Sequence, residues 1–415
     1  MINRKTVLLA IGIIALVTLV QLSFRVNRDA QISHENRDNI HVNRDESMQV
    51  DKDLDIDEDD DTDSVNLNNN DKSIESKTPP QTIFVSMAAY RDALCSDTLN
   101  YLFLNAEHPE NVFVGLIDQG ADLLDPQEPE EEGYPNSFCY RKLKVPASLI
   151  RSNVRYLSLK RSESKGPTYA RYLATTLYKN ETYFMQIDSH IRFIKGWDTS
   201  AISELFMTKS KSSLGKYDIP RSVLTYYPMA YNASIDGLPK EDHSQVPRLC
   251  KGDFNGKGII TFNSYIFKPG KEPLECPYIA AGFFFTTGEA LDLVPFDPYL
   301  PNLFEGEEIL YSVRMWTAGF RFFGPTINLC YHYYTRKGSP KFWEDDHQYG
   351  TDMVKSMDKV KFILGWNTTR VDTSGPIYKD IEKYSIHDKN LLEEYYKRYH
   401  INVKDKKVDY SFWCK

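Results

Sequence analysis

Short apolar segments alternate with amphipathic segments along the chain from residue 83 onward. A strand covered on both faces is apolar at nearly every position, so the short apolar segments predict buried strands. These strands are predicted at 83–89, 112–118, 154–159 and 184–188. Helices are predicted at 95–106 and at 167–178, where an apolar stripe follows a proline in the first turn. Repeated strand–helix–strand units predict a parallel sheet with right-handed crossovers, and therefore an α/β fold.

The second half of the chain is less regular and crowded with aromatic residues. Apolar segments predict further strands at 223–226, 259–262 and 279–286. An amphipathic helix is predicted at 307–317, and Gly319 suits its carboxyl end. From residue 342 onward the pattern is mixed and charged, which predicts an appended helical segment to which the sequence assigns no role.

An uncharged apolar stretch of 19 residues, 6–24, lies near the amino terminus. As a helix it is about 28 Å long, close to the ~30 Å hydrocarbon core of a bilayer. Arg4 and Lys5 precede the stretch, which favours a cytosolic tail at 1–5 and a luminal remainder. The alternative is a cleaved signal peptide. The length of the stretch, with no clean small-x-small cleavage site after it, favours an uncleaved signal anchor.

The segment 25–80 is rich in Asn, Asp, Ser and Arg and contains no Trp or Tyr. It buries too little apolar surface to offset its ordering entropy, so we predict a disordered stem. Within it, 51–63 holds nine acidic residues against Lys52, a formal charge of −8. The whole chain also carries −8, so the remainder sums to zero and gives no electrostatic support to a nucleic-acid partner.

Six cysteines occupy positions 95, 139, 250, 276, 330 and 414, with no C-x-x-C spacing. A structural zinc site is therefore not predicted. The even number permits disulfides in an oxidising compartment, but the sequence does not determine which cysteines pair.

The predicted strand at 184–188 ends in residues that can bind a metal, and ligands collect at the carboxyl ends of parallel strands. Asp188 and His190 stand two apart, so in extended chain their side chains point the same way. His332 ends another apolar segment. A carboxylate with imidazoles suits manganese or a similar divalent ion, and a partly open site holds a diphosphate. We therefore predict a nucleotide-sugar site. The alternative is that no metal binds, and that Asp188 is a surface residue and His190 makes ordinary hydrogen bonds.

Neither a G-x-G-x-x-G nor a P-loop sequence is present, which disfavours dinucleotide and ATP binding. Acidic residues cluster at the start of the predicted helix 307–317, in the run Phe304-Glu305-Gly306-Glu307-Glu308. The helix macrodipole favours acidic side chains at such a position, which is the structural alternative. The functional interpretation places Glu307 or Glu308 beside a donor sugar and an acceptor hydroxyl.

The segment 278–336 resembles the acceptor-side half of the polypeptide N-acetylgalactosaminyltransferases. Those enzymes have an A-G-G-L-F strand, a W-G-G-E-N turn, a helix with S-x-R-x-W and a metal-binding His. The corresponding positions here are A-G-F-F-F at 281–285, F-E-G-E-E at 304–308, S-x-R-x-W at 312–316 and His332. Their Asp-Ser-His metal motif is matched at 188–190, and their G-x-x-x-A-R helix start at 166–171. The chain departs from that family in F-E-G for W-G-G and in Glu308 for Asn.

A closer resemblance, over 83–343, is to the UDP-GlcNAc-dependent polypeptide α-N-acetylglucosaminyltransferases. It rests on the segments IFVSMAAYRD, DSHIRFIKGWD, YIAAGFFFTTG and FEGEEILYSVRMWTAGF. The resemblance implies a GT-A fold, a Rossmann-like nucleotide-diphospho-sugar transferase domain at 81–343, with 344–415 as its C-terminal extension. It implies retaining, metal-dependent transfer of GlcNAc from UDP-GlcNAc to Thr, Ser or hydroxyproline of proteins. Together with the predicted anchor, it implies a single-pass type II protein of the Golgi membrane.

The resemblance also implies roles for individual residues. Asp188, His190 and His332 would hold manganese. The donor-binding set would be Tyr90, Arg91 and Asp118 at the uridine and ribose, Ser189 in the metal motif, Gly282 against the sugar and Arg336 at the diphosphate. Glu307 would hydrogen-bond the GlcNAc hydroxyls, and Glu308 would lie near the acceptor. Arg171 would support the sheet end or touch the donor, with a helix-surface cation as its alternative.

Other functions remain open on the sequence alone. The donor could be another UDP-sugar, since GlcNAc and GalNAc differ in the orientation of one hydroxyl, and the acceptor could be a glycan. An inactive UDP-sugar-binding member of the fold is a second alternative. A metal-dependent hydrolase that uses Glu307 as a general base is a third.

Overall fold

The structure, a computed structural model, describes residues 81–415 except 121, 123–136, 236, 240–243, 336–337, 347, 367–370 and 387. These residues belong to one compact unit. The helices are α1 Cys95–Leu104, α2 Ala147–Asn153, α3 Gly166–Thr175, α4 Trp197–Phe206, α5 Glu289–Leu293, α6 Glu307–Thr317, α7 Phe342–Asp345, α8 Tyr349–Ile363, α9 Ile381–Tyr384 and α10 Lys389–Arg398. The strands are β1 Ile83–Tyr90, β2 Val112–Gln119, β3 Val154–Leu159, β4 Tyr183–Asp188, β5 Ile191–Phe193, β6 Ser222–Thr225, β7 Met229–Ala230, β8 Val246–Phe254, β9 Ile260–Phe267, β10 Leu274–Cys276, β11 Phe283–Thr287, β12 Arg321–Gly324, β13 Cys330–His332, β14 Ile401–Asn402 and β15 Lys407–Val408.

A mixed sheet of eight strands, in the order β10-β12-β6-β11-β4-β1-β2-β3, forms the centre of the described chain. Its first half in sequence is parallel, because β1 pairs in parallel with β2 and β4, and β2 with β3. The α/β sheet predicted from the strand–helix–strand units is confirmed there. The second half is mixed: β11 pairs antiparallel with β4 and β6, and β12 pairs in parallel with β6. A second, small sheet has the order β5-β13-β7.

Apolar side chains fill both faces of the central sheet. Along β1 they alternate, as the two-residue period of a strand requires: Val85 and Met87 join one buried cluster, and Phe84 joins another. The first cluster also takes apolar residues of α1 and α4, and the second takes those of α6, α8 and α10. The sheet is therefore buried on both faces, which explains why its strands are almost continuously apolar in sequence.

The strand predicted at 279–286 begins later, at Phe283. Ile279 and Ala280 are buried, but side chains bind the backbone N–H groups of residues 279–281 in place of a neighbouring strand. Ile279 N–H donates to the hydroxyl of Ser312, Ala280 N–H to that of Thr225, and Ala281 N–H to Glu308. Hydropathy does not distinguish a ladder from such side-chain capping, so the pattern overestimated the strand.

The C-terminal residues pack against the same core as α6. Met357 and Val360 of α8 and Leu392 and Tyr395 of α10 lie in the cluster that contains Ile309. Disulfides join Cys95 to Cys139 and Cys250 to Cys414, a pairing that the sequence had left open. Cys276 and Cys330 are buried thiols.

The predicted location as a single-pass Golgi membrane protein is contradicted. Across the residues that the structure describes, no helix has both the length and the apolar character needed to span a bilayer. The tail at 1–5, the anchor at 6–24 and the stem at 25–80, on which that prediction was based, lie outside the described residues.

Candidate active site

The two sheets bring the three predicted metal ligands together. Asp188 ends β4, His190 follows two residues later, and β5 starts at the next residue. Because β13 pairs antiparallel with β5, with His332 opposite Ile191, the imidazole of His332 lies beside that of His190. The two ring centroids are 4.7 Å apart, and one ligand atom from each of the three residues lies within 4.8 Å of the others.

Asp92, which the sequence analysis did not single out, orients one of these ligands. Its Oδ2 lies 2.7 Å from Nδ1 of His190 and accepts a hydrogen bond from the hydroxyl of Ser189, also at 2.7 Å. The carboxylate fixes the proton of His190 on Nδ1, so Nε2 is available as a ligand atom. Ser189 therefore faces Asp92. The available signal was the position of Asp92 just beyond β1, at the same sheet edge as Asp188.

Arg171 lies between two carboxylates at the centre of the site. From α3 it donates one hydrogen bond to Oδ1 of Asp188, at 2.8 Å, and another to Oε2 of Glu307. Its side chain is buried, so it is not the helix-surface cation considered as the alternative. Burial alone would raise the pKa of Asp188, but the hydrogen bond from His332 and the charge of Arg171 hold it well below its usual range. Asp188 is consequently a carboxylate at any physiological pH.

The acidic start of α6 faces the same space. Glu307 is buried and accepts hydrogen bonds from Arg171 and from the hydroxyl of Thr168, 3.2 Å away; burial raises its pKa in spite of the charge of Arg171. Glu308 accepts from the hydroxyl of Tyr227 at 2.7 Å and from the N–H of Ala281 at 2.9 Å. Burial raises the pKa of Glu308 to about 7. One carboxyl group of the pair is therefore held by an arginine, while the other gains or loses a proton near neutral pH.

Gly282, immediately before β11, lies against Asp188. A Cβ atom at this position would lie 3.0 Å from Oδ2 of Asp188, which is closer than ordinary van der Waals contact. The carbonyl of Gly282 also accepts a hydrogen bond from the N–H of Asp188. Glycine at this position leaves space beside the carboxylate that any side chain would take.

The residues predicted for the nucleotide lie at the ends of β1 and β2. Tyr90 and Arg91 both donate to Oδ2 of Asp345 on α7, Arg91 at 2.8 Å. Asp118 is fully buried, accepts a hydrogen bond from Ser137 at 2.5 Å, and has its pKa raised to about 6 by burial. The structure therefore brings Tyr90 and Arg91 together, through Asp345, and gives Asp118 a separate partner. Arg336 lies outside the described residues.

A divalent cation fits the central cluster. One carboxylate and two imidazoles are a donor set that accepts Mn²⁺ and related ions. The second imidazole nitrogen of His190 is already used by Asp92, as is usual for a metal-binding histidine. Three protein ligands also leave coordination positions for a substrate oxygen.

The mixed sheet, with the cation-competent cluster at the end of β4 and the acidic helix start opposite it, has the GT-A-like fold of known glycosyltransferase structures. The family model described as glycosyltransferase (GlcNAc) matches residues 82–134 and 126–405. The chain belongs to this family.

A solved structure shares the fold. The chain is similar to GalNAc-T7 crystallised with UDP, GalNAc and Mn²⁺, with a TM-score of 0.51 and 15% identity over 76% of this chain and 55% of that chain. It therefore spans about half the length of that protein. A weaker likeness is to S. aureus TarS 1–349 in complex with UDP-GlcNAc, with a TM-score of 0.40 and 13% identity over 77% and 72% of the two chains. A search of curated proteins gave no match.

Proposed function

We propose that the protein is a metal-dependent, retaining glycosyltransferase that moves GlcNAc from UDP-GlcNAc to the hydroxyl groups of Thr, Ser or hydroxyproline in proteins. The observation that carries the proposal is the convergence of Asp188, His190 and His332 within 4.8 Å, beside the buried carboxyl groups of Glu307 and Glu308. We propose GlcNAc as the transferred sugar because the family is described as glycosyltransferase (GlcNAc). We take 81–343 as the catalytic domain and 344–415 as its extension, which is supported by their shared core.

Asp188, His190 and His332 would hold the cation, which we propose is Mn²⁺, the ion named with UDP in the GalNAc-T7 structure. When bound, such a cation stabilises the negative charge that develops on the departing diphosphate. Arg171 keeps Asp188 ionised and in place, and Asp92 keeps His190 in the tautomer that leaves Nε2 available. These contacts preorganise the ligand atoms before the donor arrives.

The remaining residues would position the two substrates. Tyr90, Arg91 and Asp118, at the ends of β1 and β2, would bind the uridine and ribose, with Arg336 at the diphosphate. Gly282 lets the sugar approach Asp188, and Glu307, fixed by Arg171 and Thr168, accepts hydrogen bonds from sugar hydroxyls. Glu308 orients the acceptor hydroxyl. In a retaining reaction the departing phosphate oxygen takes the proton of that hydroxyl, so no separate base is required.

A donor screen tests the proposal. The protein is incubated with Mn²⁺ and a panel of UDP-sugars, with and without a Thr-containing peptide, and released UDP and glycosylated peptide are measured. We expect UDP-GlcNAc to be the best donor and the product linkage to be α. Faster use of UDP-GalNAc would overturn the choice of donor. Release of UDP at equal rates with and without peptide would instead indicate a hydrolase.

A further inference from the structure

A cavity of about 260 Å³ lies where the turn between β8 and β9, the carboxyl end of α8 and the turn between β14 and β15 meet. Phe254 and Trp366 line it, with their ring centroids 5.3 Å apart. Sites for drug-sized ligands occupy roughly 300–1,000 Å³. This cavity is slightly smaller, so it suits one side chain or one small group of a larger ligand.

Three of the residues that line the cavity are lysines, and one is acidic. Lys257 pairs with Glu305 at 2.8 Å, and Asp358 contributes a carboxylate to the wall. Lys361 and Lys406 also line the cavity. Within the described ranges, neither of these two lysines has a carboxylate oxygen within the 4.0 Å that defines an ion pair. Two lysines that have no acidic partner among the described residues, in a wall that also contains Phe254 and Trp366, favour an anionic ligand with an apolar stem.

The cavity adjoins the acidic start of α6. Glu305, the partner of Lys257, stands two residues before Glu307. A Cβ atom on the intervening Gly306 would lie 3.6 Å from Val360, the residue next to Lys361 on α8. Glu305 and Glu308 are three residues apart, so Lys257 and the cavity it lines lie near the segment that leads into the site. An extended polypeptide covers ~3.3 Å per residue, so residues close in sequence to a hydroxyl beside Glu308 are the ones that could meet this cavity.

We propose that this cavity binds an acidic side chain of the acceptor polypeptide, a carboxylate or a phosphate ester, a few residues from the modified hydroxyl. The inference rests on the proposed function and goes further, because it names acidic polypeptides as the preferred substrate class. The lysines contribute to acceptor affinity and not to the chemical step, so their effect falls on KM.

The test compares two Thr-containing peptides that differ only in three Glu or three Gln residues on one side of the Thr. The double variant Lys361→Gln with Lys406→Asn removes both charges; Asn suits the left-handed backbone at Lys406, where φ is 50°. The matched control is Lys389→Gln with Lys397→Gln, which removes two exposed charges from α10, and neither of these residues lines the cavity. Transfer is measured as KM and kcat, and binding of labelled peptide is measured separately by fluorescence anisotropy.

For the wild type and the control we expect KM to be roughly fivefold lower for the Glu peptide, because each partly exposed charge contact contributes a factor of a few. The cavity variant loses this preference and keeps its kcat on the Gln peptide. A cavity variant that retains the preference, or a wild type without one while both peptides are glycosylated, overturns the inference and leaves the proposed function intact. If neither peptide is glycosylated but the cavity variant still loses binding of the Glu peptide, the proposed function fails and the anion site stands.

Discussion

The protonation state of each acidic side chain in the site depends on the residues that contact it. Asp188 and Glu308 are both buried acids, yet the pKa of Asp188 is lowered and that of Glu308 is raised. The difference arises because Asp188 contacts Arg171 and His332, whereas the hydrogen bonds that Glu308 accepts from described residues come from a tyrosine hydroxyl and a backbone N–H. Burial disfavours a charged carboxylate unless a cation compensates for it.

The first prediction concerns stability and pH. The pKa of Glu308 is raised from 4.5 to about 7, so the unfolded chain loses this proton first as pH rises. Below pH 4.5 the charge of Glu308 does not change the free energy of unfolding. Between pH 4.5 and about 7 it lowers the free energy of unfolding progressively, and above pH 7 the loss is constant at about 3 kcal/mol at most. We expect Glu308→Gln to raise the melting temperature relative to wild type at pH 8 and not at pH 4.5. The exposed Glu394→Gln serves as control, and an equal shift at both pH values would contradict the prediction.

The second prediction concerns Asp92 and the cation. Asp92→Asn removes the acceptor that fixes the ring of His190, so we expect metal affinity to fall about 10- to 100-fold. The measurement is a Mn²⁺ titration followed both by the rise in melting temperature and by activity. Asp292→Asn, an exposed change on α5, is the control. Unchanged stabilisation by Mn²⁺ would show that Asp92 does not orient the ligand.

At the scale of elements, the site is the meeting point of strand ends and helix starts from distant parts of the chain. The first-half strands and the helix at 307–317 followed from hydropathy, because each buries a regular apolar pattern. Hydropathy did not predict the late start of β11 or the short strands β5, β7 and β13. The residues before β11 hydrogen-bond to side chains, and the three short strands pair with residues far away in sequence. Short segments carry too few positions for a period to show.

The third prediction tests the tie between α3, β4 and α6. Replacing Arg171 by Met leaves the buried carboxylates of Asp188 and Glu307 without their cation, which costs about 3–5 kcal/mol. We expect a large fall in melting temperature at pH 7. The double variant Arg171→Met with Glu307→Leu also removes one of the two unpaired buried carboxylates, so we expect it to recover part of the lost stability. A double variant less stable than the single one would show that Arg171 acts by packing and not by pairing.

At the scale of the whole molecule, the C-terminal residues complete the core beneath α6 and are fastened to the β8–β9 hairpin. Tyr395 donates from its hydroxyl to the carbonyl of Pro277, at 2.9 Å, inside the cluster that surrounds α6. Lys359 of α8 and Asp297 form a buried ion pair at 2.7 Å. These contacts connect the C-terminal helices to the segments that lead into β11 and α6.

The fourth prediction concerns the disulfide that closes this arrangement. The bond between Cys250 and Cys414 spans 164 residues, so its loss releases considerable chain entropy on unfolding and costs about 2–5 kcal/mol. We expect Cys250→Ser, Cys414→Ser and the double variant to lose the same stability in denaturant titrations, because each breaks the same bond. Additive losses in the double variant would contradict this pairing.

The sequence by itself determined the parallel half of the sheet, the helix at 307–317 and the types of residue able to bind a cation, because these depend on local periodicity and chemistry. Only the tertiary structure decided which partners those residues meet. The distance between His332 and Asp188, the use of Arg171 for two carboxylates, the role of Asp92 and the pairing of the cysteines all join residues far apart along the chain. Packing of the core brings such residues together, and these long-range contacts cannot be predicted from local patterns in the sequence.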